Sequence, residues 1–317
     1  MACMLCGYEK SEKLFNVKDA DFSSKEYALV KCNNCDLISI EPKLDPEEIR
    51  KYYESSYQDE SGAKFKSVYE AMEGAFKASR AKYIMKFKKE GVILDVGCGR
   101  GEVIGKLAEL GWEAHGCELS EKIALKARQN KKLKIYTECF EDVKFKPEYF
   151  DAITLWHVLE HVHDPKTYIK RIYDILKKDG VLILEVPNIS SWQARLFQAN
   201  WFHLDAPRHY YHFSSKTLKR LLMDTGFNVK NMNSFSFEYG PFSVLQSLLN
   251  SMGFTHDLLY GMLMKSSPIL KQKKLAIEKL LTVLLIPFLS VISLVFAYFE
   301  ALFKGGAVIR VAAEKKI

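Results

Sequence analysis

The stretch Val92-Ile93-Leu94-Asp95-Val96-Gly97-Cys98-Gly99-Arg100-Gly101-Glu102 decides the fold of this chain. A short, mostly apolar run, the length of a buried strand, leads straight into three glycines at alternate positions. A helical pattern opens at Glu102, with Val103, Ile104, Leu107 and Ala108 on one face and Gly111 as a stop. Glycines in such a turn let the backbone approach a ligand with no Cβ in the way, and a helix N-terminus favours negative charge. The dinucleotide fingerprint GxGxxG needs glycine at 102, where Glu102 stands. Asp95, at the mouth of the loop, would also repel a pyrophosphate. The loop is built for a different ligand.

Working outward, strands alternate with helices. Strand patterns cover Glu113–Glu118, Lys134–Thr137, Asp151–Trp156 and Val181–Val186, with a helix capped by Ser120 and another at Lys166–Leu176. A helix ending at Gly226, a strand from Phe227 to Phe237 and a final strand Gly305–Glu314 complete the pattern. Such alternation predicts an α/β fold with a parallel sheet covered on both faces.

The order of these motifs resembles the class I S-adenosylmethionine-dependent methyltransferases, whose first motif is an apolar strand followed by DxGxGxG. The resemblance runs from Tyr83 to Glu185. It implies a Rossmann-like seven-stranded sheet with one antiparallel strand at the edge, and S-adenosylmethionine as cofactor. It also implies that Asp95 opens the motif and that Gly97, Gly99 and Gly101 pack against the cofactor's methionine part. Glu118 would accept hydrogen bonds from both ribose hydroxyls. Cys139 and Phe140 stand where the family contacts adenine, while Asp151 and Trp156 would line the methyl-transfer cleft.

Four of the seven cysteines form two CxxC pairs, Cys3/Cys6 and Cys32/Cys35, separated by 25 residues. Two such hairpins can set four thiolates around one zinc, at about 2.3 Å per bond, in a closed and therefore structural site. So small a segment cannot bury a core of its own, so metal binding would supply its folding energy. Cys98, Cys117 and Cys139 are expected to be buried apolar residues. A zinc ribbon before a catalytic domain resembles bacterial methyltransferases of surface-glycan and deoxysugar pathways.

Histidines gather in two groups. His157, Glu160 and His161 follow the strand ending at Trp156, and His209 and His212 lie in the aromatic segment Trp201–Phe213. Imidazole suits proton transfer at neutral pH, and methyl transfer to an oxygen or an acidic carbon requires loss of a proton. His161, His209, His212 and His157 are therefore the candidate catalytic residues. The Glu160-His161 pair with His212 also resembles a metal site of plant small-RNA 2′-O-methyltransferases, although His157 stands where that motif has glutamate. Proton transfer, a second metal and structural hydrogen bonding all remain open here.

Near the C-terminus, Leu280–Phe299 holds 20 residues without a charge, enough to cross a bilayer as a helix. Lys265–Lys279 before it carries five lysines against one glutamate, a bias toward anionic head groups. A single span is excluded if the strands on either side share one sheet. An interfacial, re-entrant or protein-buried helix remains.

The expected organisation is a zinc ribbon at 1–40, a helical connector at 41–90 carrying Tyr52, Tyr53 and Tyr57, and a methyltransferase domain at 91–239. An apolar helical insertion at 240–303 and a final strand at 304–317 follow. The 317 residues are 48% hydrophobic and 27% charged, as in an ordinary globular protein, and the charge of +7 suits anionic partners. No signal peptide is expected, and the location is expected to be cytoplasmic, with peripheral contact to the inner membrane face through 266–303. The expected reaction is methyl transfer to an oxygen or carbon of a small or lipid-linked acceptor, a sugar or envelope-glycan intermediate. The rivals are an RNA methyltransferase and a non-catalytic membrane-associated scaffold. No stripe of Lys/Arg interleaved with aromatics supports nucleic acid.

Overall fold

The computed structural model describes residues 2–19, 25–45, 48–49, 52, 66–234, 236–264, 275–303 and 305–316. Residues 53–65 of the connector, with Tyr53 and Tyr57, and Lys265, Lys271, Lys273 and Lys274 lie outside the described residues. In chain order the elements begin with strands β1 (Ser11–Lys18), β2 (Glu26–Cys32) and β3 (Ile38–Glu41), then helix α1 (Lys66–Ile84). There follow β4 (Val92–Val96), α2 (Glu102–Glu109), β5 (Glu113–Cys117), α3 (Glu121–Ala127), β6 (Leu133–Tyr136), β7 (Phe150–Trp156) and α4 (Pro165–Ile175). Then come β8 (Leu176–Pro187), α5 (Trp192–Phe197), β9 (Tyr211–His212), α6 (Ser215–Asp224) and β10 (Phe227–Asn233). The chain closes with α7 (Gly240–Ser251), α8 (Leu258–Met264), α9 (Ala276–Leu302) and β11 (Val308–Lys315).

These elements form two compact units, each discontinuous in sequence. One comprises Met1–Lys66, Pro187–Thr217 and Asn233–Ile309; the other comprises Ser67–Val186, Leu218–Met232 and Arg310–Ile317.

The second unit holds a seven-stranded sheet in the order β10-β11-β8-β7-β4-β5-β6. Ile93, Leu94, Ile153, Leu155, Leu182 and Leu184 are all fully buried, as expected of central strands covered on both faces. On one face Ile84 of α1 and Ile104 and Leu107 of α2 join Ile93, Ala152 and Ile183 in a single apolar cluster. Truncating Ile104 or Leu107 to alanine would cost about 2–5 kcal/mol through lost burial and the cavity left behind. Asp164 starts α4: its Oδ1 accepts the amides of Lys166 and Thr167, with Pro165 in the first turn.

Register fixes where the strands end. Val96 pairs with Cys117 on one side and Leu155 on the other, and Trp156 pairs with Glu185. The next residues, Gly97, Glu118 and Trp156-His157, therefore emerge along one edge of the sheet. At the far side the Lys316 amide bonds to the Gly226 carbonyl at 2.8 Å, and Lys230 pairs with Glu314. The end of β11 thus meets the start of β10, whereas Glu185 near the end of β8 meets Arg310 near the start of β11. β11 runs antiparallel to both neighbours. The reversed strand is one place in from the edge, not at the edge as expected, because the last strand of the chain inserts between β8 and β10. β8 also starts at Leu176, five residues before the expected Val181, and β10 stops at Asn233, short of Phe237.

In the first unit β1, β2 and β3 form an antiparallel sheet extended by β9, with Ile38 opposite His212 and Ser39 opposite Tyr211. A strand in the histidine segment was not anticipated: two residues carry too little periodicity to reveal one. α9 packs on α7, where a Cβ added to Gly240 would stand 3.5 Å from that of Ala297. Its C-terminal end is anchored by buried Glu300, whose carboxylate accepts the Gln193 amide at 3.0 Å and its side-chain NH2 at 2.7 Å.

Candidate active site

The three glycines of the turn all have positive φ, at 73°, 56° and 71° for Gly97, Gly99 and Gly101, but they serve different ends. A Cβ on Gly97 would stand 2.6 Å from Val158 Cγ2, and one on Gly101 would stand 2.7 Å from Leu133 Cδ1. Those two glycines make room for protein. A Cβ on Gly99 would meet nothing within 4 Å, so its missing side chain opens onto unfilled space.

Glu118 braces that opening. Its Oε2 accepts the Gly99 amide at 3.1 Å and its Oε1 accepts the Ser120 amide at 2.8 Å. Burial raises its pKa against the lowering effect of those two amides. Each carboxylate oxygen retains further acceptor capacity, which suits a pair of hydroxyls. Asp95 lies beneath the turn, fully buried, bonded by the Thr154 hydroxyl at 2.5 Å, and burial pushes its pKa up to about 7.

Other motif residues sort themselves by position. Trp156 is buried, with the guanidinium of Arg80 5.0 Å and that of Arg310 5.3 Å from its ring centroid. Phe140 is buried against Tyr168, with ring centroids 4.7 Å apart. Cys139 is exposed, unlike buried Cys98 and Cys117, which corrects the expectation for that thiol. Asp151 lies at the opposite end of β7 from Trp156, about 16 Å away at 3.3 Å per residue. There it accepts the Val92 amide at 2.8 Å and pairs with Lys177, so it ties strands together and does not line a cleft.

His157 follows β7 in the left-handed region, with φ 55°. Its Nδ1 lies 3.2 Å from Glu160 Oε1 and its Nε2 lies 3.4 Å from Glu185 Oε1. Burial alone would lower its pKa, yet the two carboxylates push it up to about 9. Burial likewise works to raise Glu185, but His157 and Arg310 bring it down to about 2. Arg310 holds the other oxygen of Glu185 at 2.6 Å. An imidazole that is already protonated at neutral pH cannot accept a proton. Arg80, Glu185 and Arg310 were missed by sequence reasoning. The one available signal was Arg310, a lone charge inside the apolar run Ala307–Ala313.

Glu160 and His161 occupy the short 3-10 turn Leu159–His161 at the same edge of the sheet. His209 and His212 belong to the first unit. His209 is buried, with Nδ1 2.9 Å from the His203 carbonyl and Nε2 3.5 Å from Asp205, which Arg208 holds at 2.6 Å. Against a carbonyl, Nδ1 must be the protonated nitrogen, leaving Nε2 as the basic one. His212 is buried on β9 with no hydrogen-bond partner for either ring nitrogen among the described residues, and burial lowers its pKa to about 4.

The four cysteines of the first unit converge. Cys3 and Cys35 sulfurs are 3.5 Å apart, Cys6 and Cys32 sulfurs are 3.6 Å apart, and all four lie within 4.8 Å of one another. Sulfurs at the corners of a zinc tetrahedron with bonds of about 2.3 Å sit roughly 3.8 Å apart. The two hairpins share one geometry. Gly7 bonds back to Cys3 and Asp36 to Cys32, and both Gly7 and Asp36 have positive φ, at 73° and 64°.

Comparison with known proteins agrees with this frame. The family model described as a methyltransferase domain matches residues 69–231, just over half of the chain. The ubiquinone biosynthesis O-methyltransferase of Glaesserella parasuis serovar 5 is 31% identical over 106 residues, 30% of this chain and 45% of that protein. The enzyme of the same name from Methylococcus capsulatus is 25% identical over 175 residues, 51% of this chain and 73% of that protein. The chain spans about half the length of most of the curated relatives it matches. Among solved structures, the 1,6-didemethyltoxoflavin-N1-methyltransferase of Burkholderia thailandensis aligns with a TM-score of 0.50 and 15% identity, over 96% of this chain and all of that one. Haemonchus contortus phosphoethanolamine N-methyltransferase 2 aligns with a TM-score of 0.50 and 17% identity, over 75% of this chain and 53% of that one. At these identities the structures speak for the fold alone.

The fold and the glycine turn define an S-adenosylmethionine-type methyltransferase sheet. The chain belongs to the methyltransferase domain family.

Proposed function

We propose that this protein transfers a methyl group from S-adenosylmethionine to an oxygen or carbon of a small or lipid-linked acceptor, a sugar or envelope-glycan intermediate. The observation that carries the reading is the open face at Gly99 braced by Glu118 at the edge of the sheet. When bound, S-adenosylmethionine supplies an electrophilic methyl group. The chain's residues hold it, orient the acceptor, exclude water and remove a proton; such positioning supplies much of the rate in displacement chemistry.

His209 suits the proton-accepting role. Its Nδ1 is fixed by a carbonyl, its Nε2 is the basic nitrogen, and Asp205 stands ready to stabilise the imidazolium that forms. His161 is the second candidate, and His212, neutral and without a partner among the described residues, fits a hydrogen-bonding role toward the acceptor. His157 is assigned to positioning, as a fixed cation between Glu160 and Glu185. Cys3, Cys6, Cys32 and Cys35 are assigned to a structural zinc, since four thiolates leave no open position.

Relatives named for O-methylation favour oxygen over carbon as the attacked atom. The test is incubation with methyl-labelled cofactor and, separately, nucleotide-sugars, polyprenyl-linked glycans and RNA. Label in a sugar or glycan is expected. Label confined to RNA would overturn the acceptor, and failure to bind S-adenosylhomocysteine would overturn the whole reading.

A further inference from the structure

Helix α9 meets its own unit through a narrow stripe. Thr282, Leu289, Ser293, Ala297 and Glu300 are its buried residues. At about 100° per residue they fall in a sector of roughly 80°. The opposite side is apolar and uncovered: Leu280, Leu284, Phe288, Val291, Val295 and Tyr298 are each at least half exposed. With their exposed neighbours they fill a sector of roughly 180°. From Leu280 to Phe299 there is no charged residue, over about 30 Å of helix at 1.5 Å per residue.

We infer that this face docks on an anionic lipid surface, with α9 lying in the plane of the interface. Width argues for lipid over a second copy of the chain. A helix seam is a stripe near 100° wide, so one partner helix would leave much of this half-cylinder in water, whereas a planar apolar medium covers it. Charge argues for an anionic surface: five lysines and one glutamate occupy Lys265–Lys279, immediately before the apolar run, and the chain carries +7 overall. At the other end Trp192 stacks on Phe303 at 5.3 Å, and both are exposed, an aromatic pair suited to head-group depth.

Topology excludes a simple crossing. β10 and β11 are neighbours in one sheet, so the segment between them starts and finishes on one side of any membrane. Among the described residues α9 is the one helix long and apolar enough to cross. Pro287, exposed within the helix, also leaves a backbone carbonyl unpaired, which an interface with water tolerates better than a hydrocarbon core. This inference is independent of the methyl acceptor.

The test is co-sedimentation of the full chain with extruded vesicles of phosphatidylcholine alone and of equal parts phosphatidylcholine and phosphatidylglycerol. Binding to the mixed vesicles, weakening with salt, is expected. The double variant Phe288→Ser/Val295→Ser should bind at least tenfold more weakly with an unchanged melting temperature, since both side chains are exposed. Lys273→Glu/Lys274→Glu should weaken binding without touching the apolar face. Equal binding to phosphatidylcholine alone overturns the anionic surface. No binding, with a stable dimer dispersed by the Phe288/Val295 variant, overturns the lipid and assigns the face to a second copy. Resistance to alkaline carbonate extraction from cell membranes overturns the interfacial placement.

Discussion

The amide of Gly99 donates to Glu118 Oε2 across 3.1 Å, so the one glycine of the turn 97–101 that opens onto unfilled space is held by the carboxylate at the end of the neighbouring strand. The two residues lie 19 apart in sequence and are brought together by parallel register, Val96 to Cys117, three residues before Gly99 and one before Glu118. A change at either end should be felt at the same ligand.

Glu118→Ala is therefore expected to weaken S-adenosylhomocysteine binding by about 10- to 100-fold, since a hydrogen bond to a charged group contributes on the order of 1.5–3 kcal/mol. Calorimetric titration of wild type and variant measures it. An unchanged affinity would remove Glu118 from the cofactor site.

The His157–Glu185 pair predicts a pH signature. His157 has its folded pKa raised to about 9, so its contribution is fully present below the unfolded value near 6.5 and is lost as pH rises through 9. Glu185 has its folded pKa lowered to about 2, so its contribution is present above the unfolded value near 4.3 and is lost as pH falls through 2. The pair stabilises most between about pH 4.3 and 6.5. Denaturant melts of His157→Gln against wild type should show the stability difference shrinking from pH 6.5 to pH 9. A difference that stays flat across that window would contradict a buried imidazolium.

Zinc analysis should find about one ion per chain, following four-thiolate stoichiometry. Cys32→Ser should lose it and unfold the β1–β3 sheet, where Cys32 is the last residue of β2. Full retention of zinc in that variant would dismiss the assignment.

Once the acceptor is found, His209→Ala and His161→Ala should each lower turnover by about 10²-fold or more, the usual scale of general base catalysis. Cofactor affinity should stay the same in both. If neither rate falls, the two imidazoles are structural; if added divalent metal restores the loss, they are ligands.

Much of this was legible in the chain itself, because it is local. The strand Val92–Val96, the glycine turn and α2 are contiguous, so periodicity and turn chemistry within the 18 residues 92–109 sufficed. The two CxxC hairpins were legible for the same reason: each closes within a few residues and repeats one backbone geometry.

Tertiary structure decided what depends on residues far apart. β9 joins the sheet of β1–β3 across some 170 residues, which no local pattern encodes. His157 looked like a base until Glu160 and Glu185 closed around it and Arg310 arrived from the last strand. A side chain's charge is set by its buried neighbours, and those are assigned by packing. The same holds for α9. Its hydropathy was evident in the sequence, but that Thr282, Leu289, Ser293, Ala297 and Glu300 turn inward, leaving most of the large apolar residues exposed, follows only from the surface of α7 against which it packs.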